Sequence, residues 1–313
     1  MSDQSAQSWI KDAPEDEPRD IWQARITAIR EPDGFYENLG DTHSALFVRR
    51  GQTLIVSFET RTDVYRHGEN RLPFGLGKDQ PTDWSVLGVM AHAATWYRDD
   101  AVYDFFDRLH RDGFFEQFDQ VVFFGISMGA YAACAFSRAA PGCTVICISP
   151  QATLDRDIAP WESRFRPGWR QNFSAAYGYA PDMIARADKV FLFYDPTMAL
   201  DAMHAVLFQG ANLSKFKCRF MGAQIGAIWQ AMQIHDEVVE RAIDHDLPAP
   251  VFYRLMRKRH DYSPYQKEIL ARLREQEKHE LLVRYCRAVL TRRRAPTFRH
   301  EMNAALKILG RDE

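Results

Sequence analysis

Ser127 stands in Gly125-Ile126-Ser127-Met128-Gly129, a spacing that can turn a serine hydroxyl into a nucleophile. The run before it, Val121 to Phe124, is β-branched and aromatic. The run after it, Ala130 to Ala139, is alanine-rich and is closed by Pro141-Gly142. The serine therefore falls on a sharp bend between a strand and a helix, and the flanking glycines let neighbouring backbone pass without a Cβ. Such a bend lifts Oγ above the carboxyl ends of the strands, where open α/β sheets bind ligands. It also sets the hydroxyl at a helix N-terminus, whose dipole favours developing negative charge. The Met128 N–H is then one donor to an oxyanion. The chemistry this serves is attack on an ester or acyl carbonyl through an acyl-serine intermediate.

The elements that must position the serine are legible along the chain. Ala24 to Ile29 and Ala45 to Arg49 read as short alternating strands. Thr53 to Phe58 and Ser85 to Met90 are continuous apolar runs, as in strands buried on both faces. Gln120 to Phe124, Thr144 to Ile148, Lys189 to Tyr194 and Phe216 to Phe220 follow. Between the first two runs, Arg61 to Asp83 is polar, punctuated by Gly and Pro, and reads as a long loop. Asp100 to Asp112 has apolar residues at helical spacing. Strands alternating with helices predict a mostly parallel sheet with helices on both faces, a three-layer α/β architecture. A Trp-, Arg- and Tyr-rich insertion over 151–188 reads as a cap. Gln224 to Ile243 reads as one helix, and Pro264 to Arg274, Lys278 to Thr291 and Thr297 to Leu309 as a C-terminal helical extension. The expected organisation is a leader over 1–20, an α/β domain over 21–245 and a helical region over 246–313.

The elbow with its strand and helix resembles the α/β-hydrolase superfamily over about residues 45–235. Ser127 to Ala133 is similar to the elbow of bacterial esterases and acyltransferases. That resemblance implies a serine–acid–histidine triad in chain order and a second oxyanion donor after the third strand, here near Glu59 and Thr60. Asp195, ending the run KVFLFYD, is in the acid's place, and Asp201 is a second candidate. The resemblance also implies a histidine after the last strand. That segment reads Phe220-Met221-Gly222-Ala223-Gln224 and has none. Gln224, or else Ala223, stands where the histidine is expected, and an amide hydrogen-bonds a serine but accepts no proton at neutral pH. His204, oriented by Asp195 or Asp201, is then the best remaining candidate base, and His92 is a possible surrogate. His92 and Arg98, which follow a central strand, are candidate substrate contacts, as are Gln224 and Asp201. A helix histidine bonded to a carboxylate and an arginine in an aromatic plug are the structural alternatives.

The remainder of the chain excludes several classes. Net charge is -2, so no global basic field points to nucleic acid. Five cysteines without a Cys-x-x-Cys pair, and a polar start without an apolar stretch, predict a cytoplasmic location. No apolar run is long enough to span a bilayer. No zinc spacing and no glycine-rich nucleotide loop occur, so neither a metal nor a cofactor is expected. Arg257-Lys258-Arg259 and Arg292-Arg293-Arg294 read as solvated turns or as a basic surface for a partner protein. Two functions follow. One is a serine esterase or acyltransferase acting on a small-molecule or glycan ester. The other is a non-catalytic relative that binds or scaffolds.

Overall fold

The computed structural model describes residues 17–29, 34–67, 69–77 and 83–311. The expected leader over 1–20 lies almost wholly outside them. Eight strands form one sheet: β1 (Gly34–Leu39), β2 (His43–Val48), β3 (Thr53–Thr60), β4 (Trp84–Ala91), β5 (Gln120–Ile126), β6 (Thr144–Ile148), β7 (Lys189–Tyr194) and β8 (Leu213–Lys217). Their order is β1-β2-β4-β3-β5-β6-β7-β8. β2 runs antiparallel to both β1 and β4, and every other pairing is parallel. All the parallel strands thus end on the same edge of the sheet.

The central strands are apolar on both faces because both are covered. On one face Phe58 of β3 and Phe123 of β5 meet two helices, α3 (Asp100–Arg111) and α4 (Met128–Phe136). The Phe58 and Phe136 rings stack at 5.8 Å, and those of Phe106 and Phe136 at 4.5 Å. Helix α3 buries Val102, Tyr103, Phe105, Phe106 and Leu109 at helical spacing, and its N-cap Asp99 accepts the Ala101 N–H. Each such ring withdrawn from water contributes about 1.5–3 kcal/mol.

Several expectations are corrected here. The alternating run Ala24 to Ile29 is not a strand: helix α1 spans Arg19–Thr27 and buries Trp22 and Ile26, four apart on one helical face. β1 carries no strong apolar signal because three of its residues are only half-buried on the sheet edge. The polar stretch after β3 begins with helix α2 (Arg61–His67), so it is not a single long loop. The eighth strand starts at Leu213, three residues earlier than its apolar core suggests. The helix expected over Gln224 to Ile243 is two helices, α6 (Ile225–Ala231) and α7 (His235–Ile243), separated where Gln233 adopts φ 54°.

The insertion after β6 contains only short helical turns and no strand. Between β7 and β8 lies α5 (Ala199–Leu207). The chain divides into two compact units. The first holds the sheet, through residue 227, together with Asp236–Leu247; the second holds Ile228–His235 and the stretch from Pro248 onward. Within the second, helices α8 (Ala249–Leu255), α9 (Ser263–Glu275), α10 (His279–Leu290) and α11 (Pro296–Ile308) occur. Leu270, Leu282, Cys286, Phe298, Met302 and Leu306 form a separate apolar core there. No helix among the described residues is long and apolar enough to cross a membrane.

Candidate functional site

Ser127 is the single residue between β5 and α4. Its backbone sits at φ 53°, ψ −117°, a conformation that costs a residue with a Cβ about 1–3 kcal/mol. The neighbours hold it there. Its N–H donates to the Ile148 carbonyl at 2.8 Å, and its carbonyl accepts from the Tyr131 N–H at 3.0 Å. Both glycines are obligatory. A Cβ on Gly125 would stand 2.2 Å from the Gly129 oxygen, and one on Gly129 would stand 2.1 Å from the Phe58 oxygen. This close approach packs the start of α4 against the end of β3. Ser127 itself is half-buried at the carboxyl edge of the sheet.

Met128 opens α4, so its N–H has no intrahelical acceptor and is available to an oxyanion. Its sulfur accepts the Trp96 N–H at 3.3 Å. The second expected donor set is differently built. β3 continues through Thr60, which pairs with Ala91, and passes straight into α2. Glu59 and Thr60 are therefore strand residues, not an oxyanion loop. The Glu59 carboxylate accepts the Phe74 N–H at 2.8 Å and the Ser57 hydroxyl at 3.2 Å. Burial raises this carboxyl to about 7, against those two hydrogen bonds. The Thr60 hydroxyl accepts the Asp63 N–H and caps the first turn of α2.

Asp195 directly follows β7 and is fully buried. One oxygen accepts the Thr197 N–H at 2.8 Å and the Thr197 hydroxyl at 2.7 Å. The other accepts the Met221 and Gly222 N–H groups, each at 2.8 Å. The loop after β8 is thus tied to the carboxylate by its own backbone. Phe220 and Gly222 there have φ of 64° and 60°. Gln224 is exposed.

His204 is not brought to Ser127. Its ring is fully buried; Nδ1 accepts the Ala152 N–H at 3.1 Å, which leaves the proton on Nε2 for Glu162 Oε2 at 3.0 Å. The Trp161 ring lies 4.5 Å from it. Burial pushes the Glu162 carboxyl up, but the hydrogen bonds from His204 and Arg164 outweigh this and hold it at about 2. Arg164 also donates to Asp201 at 2.6 Å. Asp201 is accordingly part of an ion pair between the insertion and α5, and Asp195 orients no imidazole.

The two remaining candidates are also engaged elsewhere. His92 follows β4, which β3 separates from β5, and turns toward β2. Its Nδ1 lies 3.1 Å from the Asp41 carbonyl and its Nε2 3.2 Å from the Ser44 hydroxyl. Arg98 is buried and donates to the carbonyls of Asn172 and Ala176 and to the Tyr131 hydroxyl, at 2.8–3.2 Å. Its guanidinium lies over the Tyr103 and Phe173 rings. It clamps the insertion and offers no fork to an anion.

Sequence reasoning missed Tyr131, whose hydroxyl donates to the Tyr177 carbonyl, and it missed Glu162 and Arg164. Nothing local marks them, since the partners of Glu162 and Arg164 on α5 lie about forty residues further along the chain. The cysteines are free and buried. Among the described residues no three His, Cys, Asp or Glu side chains group as metal ligands.

No protein-family model matches the chain, and neither does any curated protein sequence. Solved structures do. An esterase of Pyrobaculum calidifontis is 14% identical at a TM-score of 0.42, covering 66% of this chain and 82% of its own. A Pyrococcus furiosus esterase is 15% identical at 0.38, covering 63% and 87%. The capsule O-acetyltransferase of Neisseria meningitidis serogroup A is 12% identical at 0.40, covering 68% and 99%. The sheet order, the antiparallel second strand and the serine elbow after β5 are those of the α/β-hydrolase fold.

Proposed function

We propose that this chain is a binding relative of the serine esterases and acyltransferases: an ester or acyl carbonyl lies at Ser127, under the Met128 N–H, without a histidine relay for rapid turnover. The observation that carries this reading is the use of Asp195. Both oxygens of its carboxylate accept from residues 197, 221 and 222. In a triad one of those oxygens orients an imidazole. His204, His92 and the buried His43 each have both ring nitrogens bonded elsewhere. A serine hydroxyl without a base is a poor nucleophile, and loss of the base lowers the rate by several orders of magnitude.

The second reading is catalysis proper, a serine hydrolase or an acyl transfer onto a hydroxyl. The strained backbone of Ser127 favours it, because such strain is typically retained where it is used. A fluorophosphonate probe separates the two. The binding reading expects labelling of Ser127 slower by orders of magnitude than in a triad esterase, and no sustained hydrolysis of p-nitrophenyl acetate above a Ser127→Ala control. Rapid, stoichiometric labelling with matching turnover, both lost in Ser127→Ala, overturns it in favour of the second.

A further inference from the structure

A cavity of about 280 Å³ stands beside α3, lined by Asp107, His110, Arg138, Tyr177 and Arg186. It is not the elbow. α4 runs back from Ser127 toward the amino ends of the strands, and its nine residues span about 13 Å. Arg138 follows its last turn, and Arg186 comes three residues before β7 begins. Both arginines are therefore at the end of the sheet away from Ser127.

The backbone brings the two together. The Ser137 hydroxyl donates to the Met183 carbonyl at 3.4 Å, and the Gly142 N–H donates to the Arg186 carbonyl at 2.8 Å. These bonds tie the short turn Ser137–Ala139 to the short turn Ile184–Arg186. The Asn212 amide holds the second turn from behind, through the Ile184 and Ala187 carbonyls. The other wall is fixed as well. Arg98 donates to the Ala176 carbonyl and the Tyr131 hydroxyl to that of Tyr177, at 2.8 and 2.9 Å. Tyr177 turns there to φ 60°, a costly conformation that persists only where the surroundings enforce it.

The charges in this cavity are unmatched. Among the described residues neither the Arg138 nor the Arg186 guanidinium has a hydrogen-bond or ion-pair partner. Asp107 shares the cavity, yet it accepts the Tyr177 hydroxyl and pairs with neither arginine. Burial and the Asp107 carboxylate push that hydroxyl up and Arg138 opposes them, so the Arg138 charge is felt at the same oxygen. Two guanidiniums held at one cavity repel each other, and Asp107 offsets only one of them. The lining thus favours an anion. A carboxylate matches one arginine, whereas a phosphate dianion matches both and suits their planar forks. The volume falls just below the roughly 300–1,000 Å³ of drug-sized ligand sites, so the occupant is small. We propose that this cavity binds a small phosphate monoester, its dianion held by Arg138 and Arg186 and a hydroxyl of its carbon skeleton donating to Asp107. This site is independent of the reading of Ser127.

The test is calorimetric titration of the full chain with glycerol 3-phosphate, inorganic phosphate and acetate at constant ionic strength. Glycerol 3-phosphate is expected to saturate one site per chain. Inorganic phosphate, with no alcohol hydroxyl for Asp107, binds more weakly, and acetate at least about tenfold more weakly. Arg138→Ala and Arg186→Ala each weaken glycerol 3-phosphate about tenfold or more, the loss of a charge-assisted hydrogen bond. Both variants keep the wild-type melting temperature, because neither guanidinium has a partner to lose. Absence of saturable binding, acetate binding as tightly as the phosphates, or binding unchanged in both variants overturns the site. Inorganic phosphate binding as tightly as glycerol 3-phosphate overturns the Asp107 contact. Sedimentation with phosphatidic acid vesicles that free glycerol 3-phosphate does not compete overturns the small-molecule occupant in favour of a membrane surface.

Discussion

Replacing Asp195 separates an anchoring carboxylate from a catalytic one. The structure gives it four accepted hydrogen bonds, two of them from the Met221 and Gly222 amides. Met221 is 3% exposed, so its amide cannot turn to water without moving the loop. Leaving a buried donor unpaired costs about 1–3 kcal/mol. Thr197 and Gly222 are half-buried, and solvent recovers part of their loss. Asp195→Ala is therefore expected to destabilise by about 3–4 kcal/mol. Asp195→Asn keeps one acceptor for the loop amides and is expected to lose about half of that. For a unit of this size each kcal/mol lowers the melting temperature by about 2–4 °C, so Asp195→Ala should melt roughly 10 °C lower. Denaturant titration measures the stability, and fluorophosphonate labelling of Ser127 runs beside it. The expected pattern is a large stability loss in the order Ala over Asn, with the labelling rate of Asp195→Asn unchanged. An Asn variant that unfolds at the wild-type midpoint but labels orders of magnitude more slowly refutes the reasoning, because only a carboxylate acting through a base behaves that way.

Other consequences can be checked with the same measurements. Ser127→Gly removes the Cβ from a backbone at φ 53° and is expected to stabilise by about 1 kcal/mol, read as a higher denaturation midpoint; a lower midpoint counts against strain at the elbow. Glu59 is raised to about 7, so its protonated form is favoured in the folded state and its contribution is lost as pH rises from about 4.5 to 7. Buried His43 is lowered to about 4, mainly by burial with Asp99 opposing, so its contribution is lost as pH falls from about 6.5 to 4. The two slopes oppose each other, and Glu59→Gln should leave a stability that climbs with pH between 4 and 6.5 more steeply than wild type, by up to about 3 kcal/mol across the window. A Glu59→Gln profile parallel to wild type contradicts the assignment. Arg98→Lys keeps the charge but loses the fork to Asn172 and Ala176, and limited proteolysis should cut within 172–178 several-fold faster. Equal cleavage rates disprove the clamp.

The elbow was legible in the sequence because everything it needs is local. Gly125 meets Gly129 four residues away, and the apolar runs on either side state strand and helix by their own composition. The central parallel strands were legible for a related reason: a strand covered on both faces is apolar throughout, whatever lies against it. Where burial is one-sided the local pattern misled. Ala24 to Ile29 alternates like a strand, yet Trp22 and Ile26 face the interior four apart on a helix.

What only the tertiary structure decided is which group each functional-looking side chain answers to. Asp195 finds amides twenty-six residues on, His204 a backbone N–H fifty-two residues back, and Arg98 carbonyls seventy-four residues ahead. Those partners are set by the crossovers that bring strand ends and insertion together, and hydrogen bonds depend on positions to a fraction of an ångström. Residue type states what an aspartate or histidine is able to do; the fold determines which neighbour takes the offer. For Ser127 the elbow came from the chain itself, and so did the inability of Gln224 to accept a proton, while the engagement of both ring nitrogens of His204 and of His92 came from the folded chain.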